Sequence, residues 1–170
     1  MEGERAIATM LDEHDQKVNE HNRVALADRT PLPAKPGEAH FVGSAACTSC
    51  HEQAFAWWQR TKHGNAYATL ERGHKEYNLN CVSSHVTGYN LPGGSTVTHV
   101  GALKDVGCES CHGAGSKHVA APDMKGLVAR QVPESTCAGC HTHEHSGRFV
   151  YDAFKAMLIV PGHGRPSDRQ

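Results

Sequence analysis

Apolar positions in this 170-residue chain follow a sustained helical spacing only near its start. Ile7, Leu11, His14, Val18, His21 and Ala25 lie on one stripe at alternating steps of four and three, which predicts a helix within residues 2–29. Pro31, Pro33, Pro36 and Gly37 then end it and form a semi-rigid linker. Residues 44–60, carrying Phe55, Trp57 and Trp58, predict a second helix, and residues 148–160 a last one that Pro161 stops. Between them Gly73, Gly88, Pro92-Gly93-Gly94, Gly101 and Gly107 break the chain, while residues 95–100 have the β character of one arm of a small ribbon. The expected fold is mainly α with much irregular structure and one short β ribbon. Its parts are an N-terminal helix (1–30), a linker (31–39) and one domain (40–170).

Composition changes that picture in one respect. Only 38% of residues are hydrophobic and 6% aromatic, with a mean hydropathy of -0.53, so side chains alone make a thin core for this length. The net charge of -1 leaves no polybasic arm for nucleic acid. Apolar runs such as residues 156–160 are far too short to cross a bilayer, so no transmembrane segment is expected.

The cysteines say what completes the core. Cys47-Thr-Ser-Cys50-His51, Cys108-Glu-Ser-Cys111-His112 and Cys137-Ala-Gly-Cys140-His141 repeat one pentapeptide, and Cys81-Val-Ser-Ser84-His85 is a fourth copy lacking its second thiol. These motifs use all seven cysteines. Cys-x-x-Cys-His is the attachment site of haem c: two thiols bond the two vinyl groups of one porphyrin, and the adjacent His ligates the iron. Zinc ribbons also use Cys-x-x-Cys pairs, but do not require a His after each second position. Several porphyrins would supply the apolar bulk that the side chains lack. The motifs start at 47, 81, 108 and 137, leaving room for one short helix and a loop per haem.

Fourteen histidines extend the reading. His51, His85, His112 and His141 are the proximal ligands by motif, and ten remain against four methionines, so the second axial ligands are expected to be imidazoles. Bis-His ligation gives lower potentials than His/Met ligation, as suits electron transfer. Spacing does not select the distal ligands, and His14 and His21 read as surface residues of the first helix.

Resemblance narrows the choice. Phe41-Val-Gly-Ser44 ahead of the first motif, Trp58-x-x-Thr61-x-His63 after it, Val86-Thr-Gly-Tyr89 after the second, and Cys108-Glu-Ser-Cys-His-Gly-Ala-Gly-Ser-x-His118 form one frame. Over residues 41–163 it resembles the tetrahaem cytochromes c related to the nitrifiers' carrier that accepts electrons from hydroxylamine oxidoreductase. That resemblance implies four closely stacked haems, three bis-His and one with an open distal face. It implies His63 as distal ligand to the third haem, opposite His112, and His118 to the fourth, opposite His141. His99 is the expected distal ligand of the first, with His145 and His163 as rivals, and His40, His74 and His143 as outer residues.

At the second motif, Ser84 cannot form a thioether. A haem there would be held through Cys81 and His85 alone, the alternative being no haem and a free Cys81 thiol. The leading functional reading is electron transfer between redox partner proteins. The alternatives are reduction of a nitrogen or sulfur oxyanion, or of NO, at a five-coordinate second haem, and service as an accessory module behind an upstream fused domain. Haem c is attached outside the cytoplasm, so a periplasmic location is expected, with an export signal upstream of Met1.

Overall fold

The computed structural model describes residues 2–165. Its helices are α1 (Glu2–Ala25), α2 (Glu52–Trp58), α3 (Ala66–Arg72), α4 (Cys108–His112), α5 (Ser116–Ala120), α6 (Glu134–Ala138), α7 (His143–Ser146) and α8 (Tyr151–Leu158). Apart from α1 none exceeds eight residues. Such helices are unstable in isolation and persist only through what they pack against.

The buried apolar residues among those described, Ala66, Tyr67, Leu70, Val82, Val86, Val97, Val100 and Leu103, all fall within residues 66–103. Cys81, Tyr77, Tyr89 and Leu26 pack against this cluster. The second motif therefore sits on the side-chain core, whereas the first, third and fourth lie outside it.

α1 does not dock by its predicted stripe. Ile7 and Leu11 are 61% and 59% exposed, and the covered face is Asp15, Val18, Asn19, Asn22 and, just past the helix, Leu26. That face is polar and binds through specific bonds. The Tyr77 N–H donates to Asn19 Oδ1 at 2.8 Å, Asn22 Nδ2 donates to the Tyr77 carbonyl at 3.0 Å, and Asp15 pairs with Lys75 at 3.0 Å. Hydrogen bonding to a loop outweighed the apolar periodicity.

The helix expected over residues 44–60 is interrupted by the first motif. A 3-10 turn at Ser44–Cys47 leads into the motif, and α2 starts only after His51, whose φ of -122° and ψ of 41° break the helix. Residues 95–100 are not a ribbon arm, apart from a single bridge between Tyr89 and Ser95. Their hydroxyls bond loop carbonyls instead: Ser95 to Thr87 at 2.8 Å, Thr96 to Arg29 at 2.5 Å and Thr98 to Leu26 at 2.8 Å. The one two-stranded sheet among the described residues joins β1 (Val160–Pro161) to β2 (Gly164–Arg165) around His163.

Candidate haem-binding histidine pairs

Each motif folds into a turn or a short helix. In the first and fourth motifs the His N–H closes an α-type turn onto the first Cys carbonyl, His51 onto Cys47 and His141 onto Cys137, both at 2.9 Å. The third motif is α4 itself, stopped by Gly113 at φ 84°. The second motif is wound tighter: Ser84 N–H reaches the Cys81 carbonyl at 3.1 Å, and His85 N–H reaches that of Val82 at 3.0 Å.

Several imidazoles are preset for a metal through Nε2. Nδ1 of His85 bonds the Ala66 carbonyl at 2.7 Å, Nδ1 of His112 that of Ala129 at 2.5 Å, and Nδ1 of His163 that of Leu158 at 2.6 Å. A carbonyl only accepts, so Nδ1 carries the proton and the Nε2 lone pair is free. His141 Nδ1 meets Ser146 Oγ at 3.0 Å.

Three pairs of rings then face one another. Ring centroids lie 6.3 Å apart for His51 and His118, 6.0 Å for His63 and His141, and 6.0 Å for His112 and His163. A metal–imidazole bond is about 2 Å and each centroid lies about 1.1 Å beyond its nitrogen, so two imidazoles on opposite sides of one metal have centroids about 6 Å apart. The interplanar angles of 26°, 62° and 79° are no obstacle, since each ring turns freely about that axis. In centroid separation, three pairs are compatible with a bis-His metal. Burial, reinforced by the charge of His141, pushes His63 below the ordinary imidazole range, which favours the neutral, ligating form.

These ring neighbours differ from the expected pairing. His63 stands opposite His141 rather than His112, and His118 opposite His51 rather than His141. The cause is how α5 is tied down. His40 N–H donates to Ser116 Oγ at 2.9 Å and Ser116 N–H to the His40 carbonyl at 3.2 Å, which brings α5 beside the segment leading into the first motif. His163 takes the place opposite His112, turned inward by the β1–β2 turn. Gly162 there (φ 78°) lies so close to α2 that a Cβ would stand 2.5 Å from Gln53 Cβ, and Trp57 stacks on His163 at 5.4 Å.

His99 is not part of any ring pair among the described residues. Its Nδ1 lies 3.1 Å from Thr98 Oγ1, in a crevice shared with Arg23, Ala27 and Tyr77 beside α1. His145, exposed on α7, likewise meets no other ring among the described residues. His85 also has no facing imidazole among them.

The cysteines show which motifs are neighbours. The Cys108 N–H donates to Ser44 Oγ at 3.1 Å, so the third motif adjoins the entry to the first, and the nearby thiols shift one another, Cys47 up and Cys108 down. Cys111 lies within charge range of Cys137 and Cys140, bringing the third motif near the fourth.

One residue of consequence was not visible as such in the sequence. Glu109, inside the third motif, is 5% exposed. Its carboxylate accepts from Val42 N–H at 3.0 and 3.1 Å, Gly43 N–H at 2.8 Å and Gly115 N–H at 2.6 Å. It staples the lead-in of the first motif to the third and to the loop before α5. Phe149 was also missed; it stacks on the His141 ring at 4.5 Å and 14°. The Cys-Glu-Ser-Cys pattern marked Glu109 only as a family signature, and nothing in local spacing brings Phe149 to His141.

Known proteins resemble this chain in sequence and in fold. The family model described as cytochrome c554 and c-prime matches residues 46–113, spanning the first three motifs. Cytochrome c-554 of Nitrosomonas europaea is 33% identical over 107 residues, which cover 54% of this chain and 46% of that protein. The aligned part is thus under half the length of the curated relative. The solved reduced state of cytochrome c554 from Nitrosomonas europaea superposes with a TM-score of 0.55 at 25% identity, covering 70% of this chain and 83% of that one. The chain resembles the multihaem cytochromes c of this family in sequence and in fold, and the cofactor for which its motifs are built is haem c.

Proposed function

We propose that this chain, a relative of cytochrome c554, is a multihaem electron carrier without substrate chemistry of its own. Bound haem iron supplies one-electron redox chemistry. The polypeptide fixes each cofactor by thioethers and an axial histidine, and sets its potential through the second ligand and the surroundings. His51 with His118, His63 with His141, and His112 with His163 are the three axial pairs, and His85 is the proximal ligand of a fourth haem. In support, the Cys108 N–H bonds Ser44 Oγ at the entry to the first motif, and Cys111 lies within charge range of the fourth, as three neighbouring sites would require.

The observation that carries this reading is the separation of 6.0–6.3 Å in three independent ring pairs, drawn from segments far apart in sequence. Electrons enter and leave through redox partner proteins outside the cytoplasm, in contacts of the small, transient kind. The test is electron paramagnetic resonance of the oxidised protein with a potentiometric titration. Three low-spin bis-imidazole signals at low potential support the carrier; a majority of high-spin signals sinks it.

His85, without a facing imidazole among the described residues, favours a second reading for its site alone: exchange of a small ligand such as NO at the open side. One CO per reduced protein supports that reading, and no CO binding removes it.

A further inference from the structure

We infer that the haem at His85 is attached through a single thioether, from Cys81, and that the side-chain core of residues 66–103 takes over the orienting role of the missing second bond. This rests on the carrier reading and deepens it at one site.

The motif keeps a turn and its His although its second thiol is absent. The Cys81 turn brings residue 84 round beneath His85, and the His85 ring is held by its bond to the Ala66 carbonyl at 2.7 Å, which leaves Nε2 directed away as a ligand. Ser84 takes the sequence position of the second cysteine in the three complete motifs, and no partner to its hydroxyl is found among the described residues. A hydroxyl is far too weak a nucleophile to add to a vinyl group, whereas a thiol does so readily. Only Cys81 can react. Its S–H bond breaks, sulfur bonds one vinyl carbon and the hydrogen goes to the other. This is an addition with no leaving group and no net oxidation or reduction. The second vinyl stays unsaturated and conjugated with the ring.

The packing explains why one bond suffices. Val82 and Val86, on either side of Ser84, are 0% and 5% exposed, and Cys81 itself packs on their cluster with Tyr67, Leu70 and Val97. In the first and fourth motifs the second cysteines, Cys50 and Cys140, are exposed and no flanking residue is buried. The Cys81 turn, unlike those two, is flanked by its own apolar core.

The experiment uses the full chain matured with haem, in three forms: unaltered, Cys81→Ser and Ser84→Cys. Under denaturing mass spectrometry the unaltered chain is expected to retain four haems and Cys81→Ser three. Ser84→Cys is expected to retain four, its ferrous pyridine complex absorbing at shorter wavelength as the last vinyl saturates. Three haems in the unaltered chain, or four in Cys81→Ser, overturns the inference and leaves the carrier reading standing. An unshifted Ser84→Cys spectrum overturns it as well, and a chain with no covalent haem overturns both.

Discussion

Residues 66–103 and residues 108–165 are built on opposite principles. The first stretch holds every buried apolar residue among those described, seven of them in α3 and the loops that follow it and the eighth, Leu103, at its end. The second has three motif cysteines half-buried and one exposed, α5 to α8 with no buried side chain, and Val119, Met124, Val150 and Met157 open to solvent. One region folds on its own side chains. The other is a set of short helices with little side-chain core, and it carries two full Cys-x-x-Cys-His motifs. The region with a core carries the motif with one thiol. Covalent tethering and side-chain packing substitute for one another along this chain.

The largest effect that would break this contrast is withholding haem. In the chain expressed without haem attachment, hydrogen exchange is expected to keep measurable protection at Val82, Thr87 and Leu103, whose amides are bonded within the core, while residues 134–165 lose theirs entirely, because helices of four to eight residues do not survive unpacked. Uniform loss, or protection of α6 to α8, would show that the two regions are not distinct.

Within the haem-loaded protein the same contrast is readable by truncation. Leu70→Ala is expected to lower unfolding free energy by about 3 kcal/mol, as buried Leu truncations do, whereas Met157→Ala should change it by less than about 0.5 kcal/mol. Glu109→Ala joins the larger class despite its polarity. It strands the amides of Val42, Gly43 and Gly115, at about 1 kcal/mol or more for each buried donor left unpaired. Denaturant unfolding followed by far-ultraviolet circular dichroism separates the classes, and equal losses at Leu70 and Met157 would refute the division.

The axial pairs are expected to show little change in stability and a sharp local change in spectrum. His118→Ala should turn the haem on His51 high-spin, His63→Ala the one on His141, and His163→Ala the one on His112, with all haems retained by their thioethers. His99→Ala and His145→Ala should leave the spectra unchanged. A low-spin signal surviving in any of the first three would show that another ligand holds that iron.

How much of this was legible in the sequence follows from the range of each interaction. The attachment cysteines and His51, His85, His112 and His141 are local patterns, readable because haem chemistry demands residues at fixed neighbouring positions. Which histidine faces which is tertiary. His118 meets His51 only because Ser116 bonds His40 and Glu109 bonds Val42 and Gly43, across more than sixty residues. The stripe Ile7, Leu11, His14 was real as periodicity, yet α1 docks on Asn19 and Asn22, since the available surface at Tyr77 offers backbone groups. Residues 95–100 read as strand by composition, but their hydroxyls found loop carbonyls before any strand found them.

The smallest expected effect lies at the edge of the cored region. Asp105 closes it: Oδ1 accepts the Tyr67 N–H at 2.8 Å, and its carbonyl accepts from Thr87 Oγ1 at 2.9 Å. Burial raises its carboxyl above the ordinary value against the lowering effect of that amide bond and of Lys104. A carboxyl raised in the folded state favours folding only while protonated, so its contribution is fully present below the unfolded value and is lost as pH rises through the folded one. At neutral pH the charge is therefore a slight burden. Asp105→Asn keeps the oxygen that accepts from Tyr67 and suits the φ of 73° found there. The variant should be slightly more stable than the parent at pH 7, and the gain should vanish below about pH 4. A gain that persists at low pH would trace to the backbone preference of Asn, and a loss at pH 7 would mean that Lys104 holds the charge more strongly than burial opposes it.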